Sequence, residues 1–336
     1  MNPGAARVLE LLRRDAGRPC SGEALSEALG VSRNQIWKNV EHLRSAGYGV
    51  TGERGGGYTL VEIPDRLYAA EIQAGLETRW LARELAWFEE IGSTNDEAHA
   101  RARDGAPHGT VIVAESQTKG RGRHGRSFYS PRHQNLYTSI VLRPAIHVGE
   151  APTVVLAAAV AVADTVASSV GDEDAVQIKW PNDVLLGGKK TCGILMEMTA
   201  EATRVAYLVL GIGVNLNVDP AGFPEEFRAT ATSLSAHCGH AVDRAAFART
   251  LYGNLEAMLT LHEQSGFEGV RPRFQKRFRM AGQAVQVRDL NGPELRGAAE
   301  GIDHDGALLV RCDDGRVERV LAGDVTLSAP SAETRR

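Results

Sequence analysis

Four cysteines stand in 336 residues, Cys20, Cys192, Cys238 and Cys312, and no two form a CxxC pair. That scatter excludes a disulfide framework and a cysteine-based zinc site, and it suits a reducing cytoplasm. No apolar run is long enough to span a bilayer. The longest, residues 153–163, is alanine-rich and stops at Asp164, so a buried helix is expected there and no membrane partner. The first fifteen residues, MNPGAARVLELLRRD, hold no signal-peptide core. There is no GxxxxGK[ST] loop, no dinucleotide fingerprint opening a first Rossmann helix, and no internal repeat. No metal site is expected.

What is present reads as a soluble globular chain of two or three domains, with 43% hydrophobic and 24% charged residues. Three segments differ in character, and together they predict a multidomain α+β protein. Residues 1–64 carry helical periodicity at Val8, Leu9, Leu11 and Leu12, then at Leu25 and Leu29. Gly30-Val31-Ser32 makes a turn with Ser32 as N-cap, and Ile36, Val40 and Leu43 mark a third helix. YGVTGERGGGYTL then reads as two short strands around a glycine tip. Helix, helix, turn, helix, hairpin is the order of a winged helix-turn-helix.

Residues 66–270 alternate strand-like runs (TVIVAES, NLYTSIVLR, AVQIKW, CGILMEM, VAYLVLGIGVNLNV) with helical ones (151–170 and 246–264). One sheet covered by helices is expected, a mixed α/β domain. From 272 to 328 the strands are short, with DHDG and DDG as turns, which predicts a small β-barrel. The tail SAPSAETRR has the composition of a disordered segment.

Against a slightly acidic whole, net charge −4, one stretch is intensely basic: KGRGRHGR at 119–126. Closely spaced glycines let backbone N–H groups converge on an anion, and arginines add bidentate donors. A nucleotide phosphate and a nucleic-acid patch fit this loop equally well. Three other stretches accompany it. GSTN at 92–95 offers small polar groups to a neutral ligand, and also a helix N-cap before DEAHARARD. KWPND at 179–183 runs a strand into a proline stop, the end where α/β ligands bind, or is a plain turn. GGKKTCGIL at 187–195 and GIGVN at 211–215 suggest a second anion and a close backbone approach, or a solvated lysine turn.

In this order and spacing the four motifs resemble the biotin protein ligase family, the biotin–[acetyl-CoA-carboxylase] ligases. The likeness is close to the bifunctional form, which carries an N-terminal winged helix and represses the biotin operon. The likeness covers nearly the whole chain, and it makes the central segment a catalytic domain of the biotin/lipoate ligase type and the C-terminal one an SH3-like barrel. It implies that biotin and ATP are substrates, with Mg²⁺, and that biotinoyl-5′-AMP is passed to a lysine of a biotin carboxyl carrier domain of acetyl-CoA carboxylase or a related carboxylase. Two anions must then meet, which accounts for the basic loop. The implied biotin contacts are Ser93, Thr94, Asn95, Gln117, Arg121, Gly122, Arg123 and Lys190. The implied ATP and adenylate contacts are Arg121, Arg123, Phe128, Lys179, Asn182 and Asn215. Lys190 and Arg123 are the implied electrostatic catalysts, and Asp183 the base for the incoming lysine. Phe128 stands where well-known relatives have tryptophan, and His124 fills the variable place in GRGRxGR.

The likeness also implies operator DNA as a partner and a homodimer when biotinoyl-5′-AMP is bound. Arg33, Asn34, Gln35, Lys38 and Asn39 of the third helix, and Arg54 on the wing, are the expected DNA contacts. Residues 31–60 hold four Lys or Arg against two Glu, so a single copy should bind weakly. Two other readings compete: a non-enzymatic ligand-sensing transcription factor, and a lipoate or octanoate transferase. The intact Lys190 and paired arginines oppose the first. GRGRxGR with KWPND, and the fused winged helix, oppose the second.

Overall fold

The computed structural model describes residues 1–15, 17–53, 56–288 and 294–327. The chain divides into two compact units, Met1–Glu71 and Ile72–Arg336.

In the first unit, α1 (Pro3–Arg14), α2 (Gly22–Leu29) and α3 (Arg33–Ser45) precede a hairpin of β1 (Gly49–Glu53) and β2 (Gly57–Glu62). The local chemistry sets these bounds. Ser32 accepts a hydrogen bond from the Gln35 amide at 3.2 Å, as an N-cap should. Gly30 ends α2 in the left-handed region at φ 64°, where a side chain would be strained. Val8, Leu9, Leu12, Leu25, Ile36, Val40 and Leu43 form the core. The short α4 (Ala69–Gln73) lies across the division. On its first-unit side, Glu71 is buried and ion-paired to Arg13, and Tyr48 donates its hydroxyl to the same carboxylate.

The second unit is built on a seven-stranded sheet. In chain order its elements are β3 (Leu85–Phe88), α5 (Thr94–Arg103), β4 (Val111–Ala114), β5 (Leu136–Leu142), α6 (Ala151–Val170), β6 (Val176–Lys179), β7 (Asp183–Leu186), β8 (Lys189–Glu201) and β9 (Arg204–Val214). The strand order is β3-β4-β5-β9-β8-β7-β6, antiparallel except for the β3/β4 pair. After α7 (Glu225–Arg228) and α8 (Leu234–Cys238) comes the long α9 (Arg244–Arg277), broken at Gly266. A five-stranded antiparallel sheet follows: β10 (Ala284–Arg288), β11 (Leu295–Ile302), β12 (Leu308–Arg311), β13 (Val317–Val320) and β14 (Asp324–Leu327).

Each strand-like run holds a strand. β3, β7 and β14 were not anticipated, and at four residues each they are too short to show alternation. The expected boundary at 270–272 falls inside α9, which runs on past Pro272. The helix expected over 151–170 has those bounds as α6, running on past Asp164, and from Val148 it is long and apolar enough to cross a membrane, which corrects the length argument. Most of it is buried against β6, β7, β8 and α9 instead, and Asp164 accepts hydrogen bonds from Arg277 at 3.0 and 3.1 Å. The tail expected to be disordered, 328–336, lies outside the described residues.

Candidate functional site

The four motifs, far apart in sequence, border one cleft of about 780 Å³ in the second unit. Ser93, Thr94 and Asn95 enter it from the start of α5, and Gln117 from the segment after β4. Arg121, Gly122, Arg123 and Phe128 come from the basic loop. Lys179, Asn182 and Asp183 come from the turn between β6 and β7, and Lys190 from β8.

At one end a small polar network is set. Gln117 Oε1 accepts from the Thr94 amide at 2.9 Å and from its hydroxyl at 3.1 Å. Ser139 donates to Asn95 Oδ1 at 2.6 Å, and Asn95 Nδ2 donates to Glu197 at 2.7 Å. Ser93 sits at the N-cap of α5, but its side chain makes no cap hydrogen bond, so its hydroxyl faces other work. At the other end lie the charges. Lys190 Nζ stands 2.7 Å from Asp183 Oδ1 as an ion pair. Arg123 donates to Asn182 Oδ1 at 3.1 Å, and Asn182 in turn donates to the Ile194 carbonyl at 2.8 Å. Burial pushes the Arg123 guanidinium below its ordinary pKa, against the opposing pull of Asp324 and Asp183. Arginine stays protonated through such shifts, so the cation is held partly desolvated, where its field is strongest.

Arg121 is claimed twice. Its Nη2 lies 2.7 Å from Asp96 and 3.1 Å from Glu197. Neither carboxylate was expected in the site. Glu197 sits two and four residues beyond Leu195 and Gly193 on β8, so period-two alternation puts all three on one face of the strand, and that was the available signal. Arg126 reaches across to Asp324 at the start of β14, which ties the basic loop to the C-terminal sheet. His124, in the variable place of GRGRxGR, holds a left-handed backbone at φ 56°, a conformation that favours glycine.

The glycines of GIGVN have a steric reason rather than an anion. A Cβ on Gly211 would lie 2.9 Å from Asn95 Cγ, and one on Gly213 would lie 2.5 Å from Phe128 Cζ. The sheet is bare at these two points so that Asn95 and the Phe128 ring can lie on it. Asn215, expected among the adenylate contacts, does not line the cleft in this structure. It is buried, accepts from Asn135 at 3.3 Å and donates to the Thr232 carbonyl at 3.2 Å. Trp180 of KWPND is also a packing residue, fully buried, with its indole N–H donating to the Gly306 carbonyl at 3.0 Å.

In the first unit, Arg33, Asn34, Gln35 and Lys38 are exposed on α3, but Asn39 is 2% exposed, which removes it from the expected DNA contacts. Helical phase explains this: Asn39 shares the inward face with Ile36, Val40 and Leu43, and a Cβ on Gly4 of α1 would lie 2.8 Å from its amide nitrogen. Arg33 pairs with Glu23 at 2.8 Å, and Arg44 is tied to Glu41 and to the Val50 carbonyl. Arg54 lies outside the described residues.

The family model for the biotin/lipoate A/B protein ligase family matches residues 87–215. The biotin protein ligase C-terminal domain matches 281–328, and an HTH domain matches 5–59. The bifunctional ligase/repressor BirA of Bacillus subtilis is 37% identical over 320 residues, covering 95% of this chain and 97% of that protein. The biotin–[acetyl-CoA-carboxylase] ligase of Mycobacterium tuberculosis is 36% identical over 250 residues, 72% of this chain and 88% of that one. Among solved structures, the biotin protein ligase from Aquifex aeolicus in complex with biotin and ATP aligns at TM-score 0.63 and 26% identity, over 73% of this chain and 99% of that chain.

Proposed function

This chain belongs to the bifunctional ligase/repressor family of biotin protein ligases, and from that membership we propose that it biotinylates a carrier lysine and represses biotin-synthesis genes. The observation that carries the enzymatic half is the convergence of the four separated motifs on one cleft.

The reaction has two steps. A carboxylate oxygen of biotin attacks the α-phosphorus of MgATP, the bond to the β-phosphate breaks, and pyrophosphate leaves. The ε-amine of a carrier-domain lysine, having lost a proton, then attacks the anhydride carbonyl, and AMP leaves. Mg²⁺ enters as part of the nucleotide substrate. Ser93, Thr94, Asn95 and Gln117 take the ring end of biotin. Gly122, Arg121 and Arg123 surround its carboxylate and the α-phosphate. Lys190 stabilises the charge that builds on the pentacoordinate phosphorus, a preorganised role in which one donor is worth roughly 10²–10³ in rate. Lys179, Asn182 and Phe128 hold the nucleotide, and Asp183 accepts the proton of the incoming amine once Lys190 turns to the substrates.

Residues 1–64 serve as the DNA-binding module, the segment from 66 to the end of α9 as the catalytic domain, and the sheet β10 to β14 as the C-terminal domain. Biotinoyl-5′-AMP favours a homodimer, and the dimer binds a two-fold operator that a single modestly charged winged helix holds poorly. The work takes place in the cytoplasm, where ATP is at hand and the four free cysteines stay reduced. Incubation with ATP, Mg²⁺, biotin and a biotin carrier domain, followed by a streptavidin blot, tests the ligase. A gel shift with and without biotin and ATP tests the repressor. No label on the carrier, or no ligand effect on DNA affinity, overturns the corresponding half.

A further inference from the structure

Among the described residues every aromatic side chain but one is buried or half-buried, and the exception is Trp37 on α3, 51% exposed. An exposed indole forgoes the burial that the fold gives every other ring. Its surroundings say what covers it. Asn34, one turn earlier, and Lys38, its neighbour, are exposed on the same side of the helix, and among the described residues neither carries an ion pair or a side-chain hydrogen bond. A helix that docks on protein shows an apolar stripe at i, i+3, i+4 and i+7, whereas α3 exposes no second large apolar residue. A single ring set among an amide and a cation matches a major-groove edge instead. There the one apolar group that a base pair presents is the C5 methyl of thymine.

We propose that Trp37 is a specificity-determining residue that packs its indole on thymine methyl groups, while Asn34 reads an adjoining adenine. The proposal rests on the reading of this unit as a DNA binder, and it makes the half-site A·T-rich beneath the first two turns of α3. Arg33 and Arg44, already paired within the chain, are left to position rather than to specify.

The test selects duplexes from a randomised pool with the full-length protein, biotin and MgATP. Each thymine of a selected duplex is then replaced by uracil, which removes only the methyl. At one or two positions per half-site the wild type should bind about fourfold more weakly, the factor for losing a buried methylene-sized group of ~0.8 kcal/mol. Trp37→Ala should be indifferent to uracil at those positions, and Trp37→Phe should recover part of the sensitivity. Uracil that costs wild type and Trp37→Ala the same, or costs neither anything, overturns the assignment. So does a loss of DNA binding in Trp37→Ala that follows a loss of self-association in sedimentation, because the ring is then a protein contact. If the wild type retains no duplex from the pool at low salt, it is the DNA-binding reading that falls, and this inference falls with it.

Discussion

The cleft and the outer face of α3 both gather cations, and they treat them in opposite ways. In the cleft the three cations proposed to surround biotin's carboxylate and the α-phosphate are already held by this chain: Lys190 by Asp183, Arg123 by Asn182, Arg121 by Asp96 and Glu197. On α3 the flanking arginines are paired, but Lys38, Asn34 and Trp37 are left to solvent. The difference follows from what each surface must do. An adenylating site meets small ligands at fixed atoms, so its groups are preorganised, and the chain's own carboxylates stand where substrate anions will go. A groove-reading helix meets a long polyanion whose counterions it releases, and needs its side chains unengaged beforehand.

The hardest way to break this comparison is Lys190→Ala. Pyrophosphate release in a single turnover should fall by on the order of 10²–10³. DNA binding should fail with it when biotin and ATP are supplied, and return when purified biotinoyl-5′-AMP is added. A wild-type rate would remove Lys190 from the mechanism. Next comes Gly211→Ala. Its methyl would press on a buried Asn95 that Ser139 and Glu197 hold in place, an overpacking that costs ~1–3 kcal/mol. Biotin affinity by calorimetry should drop about tenfold or more, and unchanged affinity would show that the bare strand is incidental.

Lys38→Ala acts on the other surface alone. It should weaken all duplexes alike and flatten the slope of log K against log salt by ~1 per copy, while biotinylation continues at the wild-type rate. A change confined to particular sequences would make Lys38 a base reader instead. The mildest is Glu197→Gln, which keeps an acceptor for Asn95 and removes half of the charge holding Arg121. The groups are partly exposed, so the effect should be a few-fold, within the ~0.2–1 kcal/mol of screened pairs. Trypsin should cut the basic loop faster in the ligand-free variant. Equal cleavage would mean that Asp96 alone holds the arginine.

Much of this molecule was legible before its shape was known. Ser32 as a cap and α3 from Ile36, Val40 and Leu43 follow from spacing and residue chemistry, and the gathering of GSTN, the basic loop, KWPND and Lys190 in one site is what the family resemblance implied. What stayed hidden is mostly tertiary. Glu197 lies 76 residues from Arg121, and Asp324 lies 198 from Arg126, and no local pattern links such pairs. The likeness implied Asn215 as a ligand contact, and no local pattern showed that its amide also binds Asn135 and Thr232. Asn39 is a different kind of miss. Its phase with Ile36 and Leu43 was in the sequence, but polarity was weighed above periodicity.

Trp180 has a practical consequence for anyone who would trim this protein into a labelling tool. The ring belongs to a cleft motif, yet its N–H is satisfied by Gly306 and its amide lies 3.3 Å from the Met280 sulfur. Cutting the chain after α9 would leave an indole bare and a donor orphaned beside Lys179 and Asn182. A shortened enzyme should therefore keep its C-terminal sheet, and the winged helix is the part to discard.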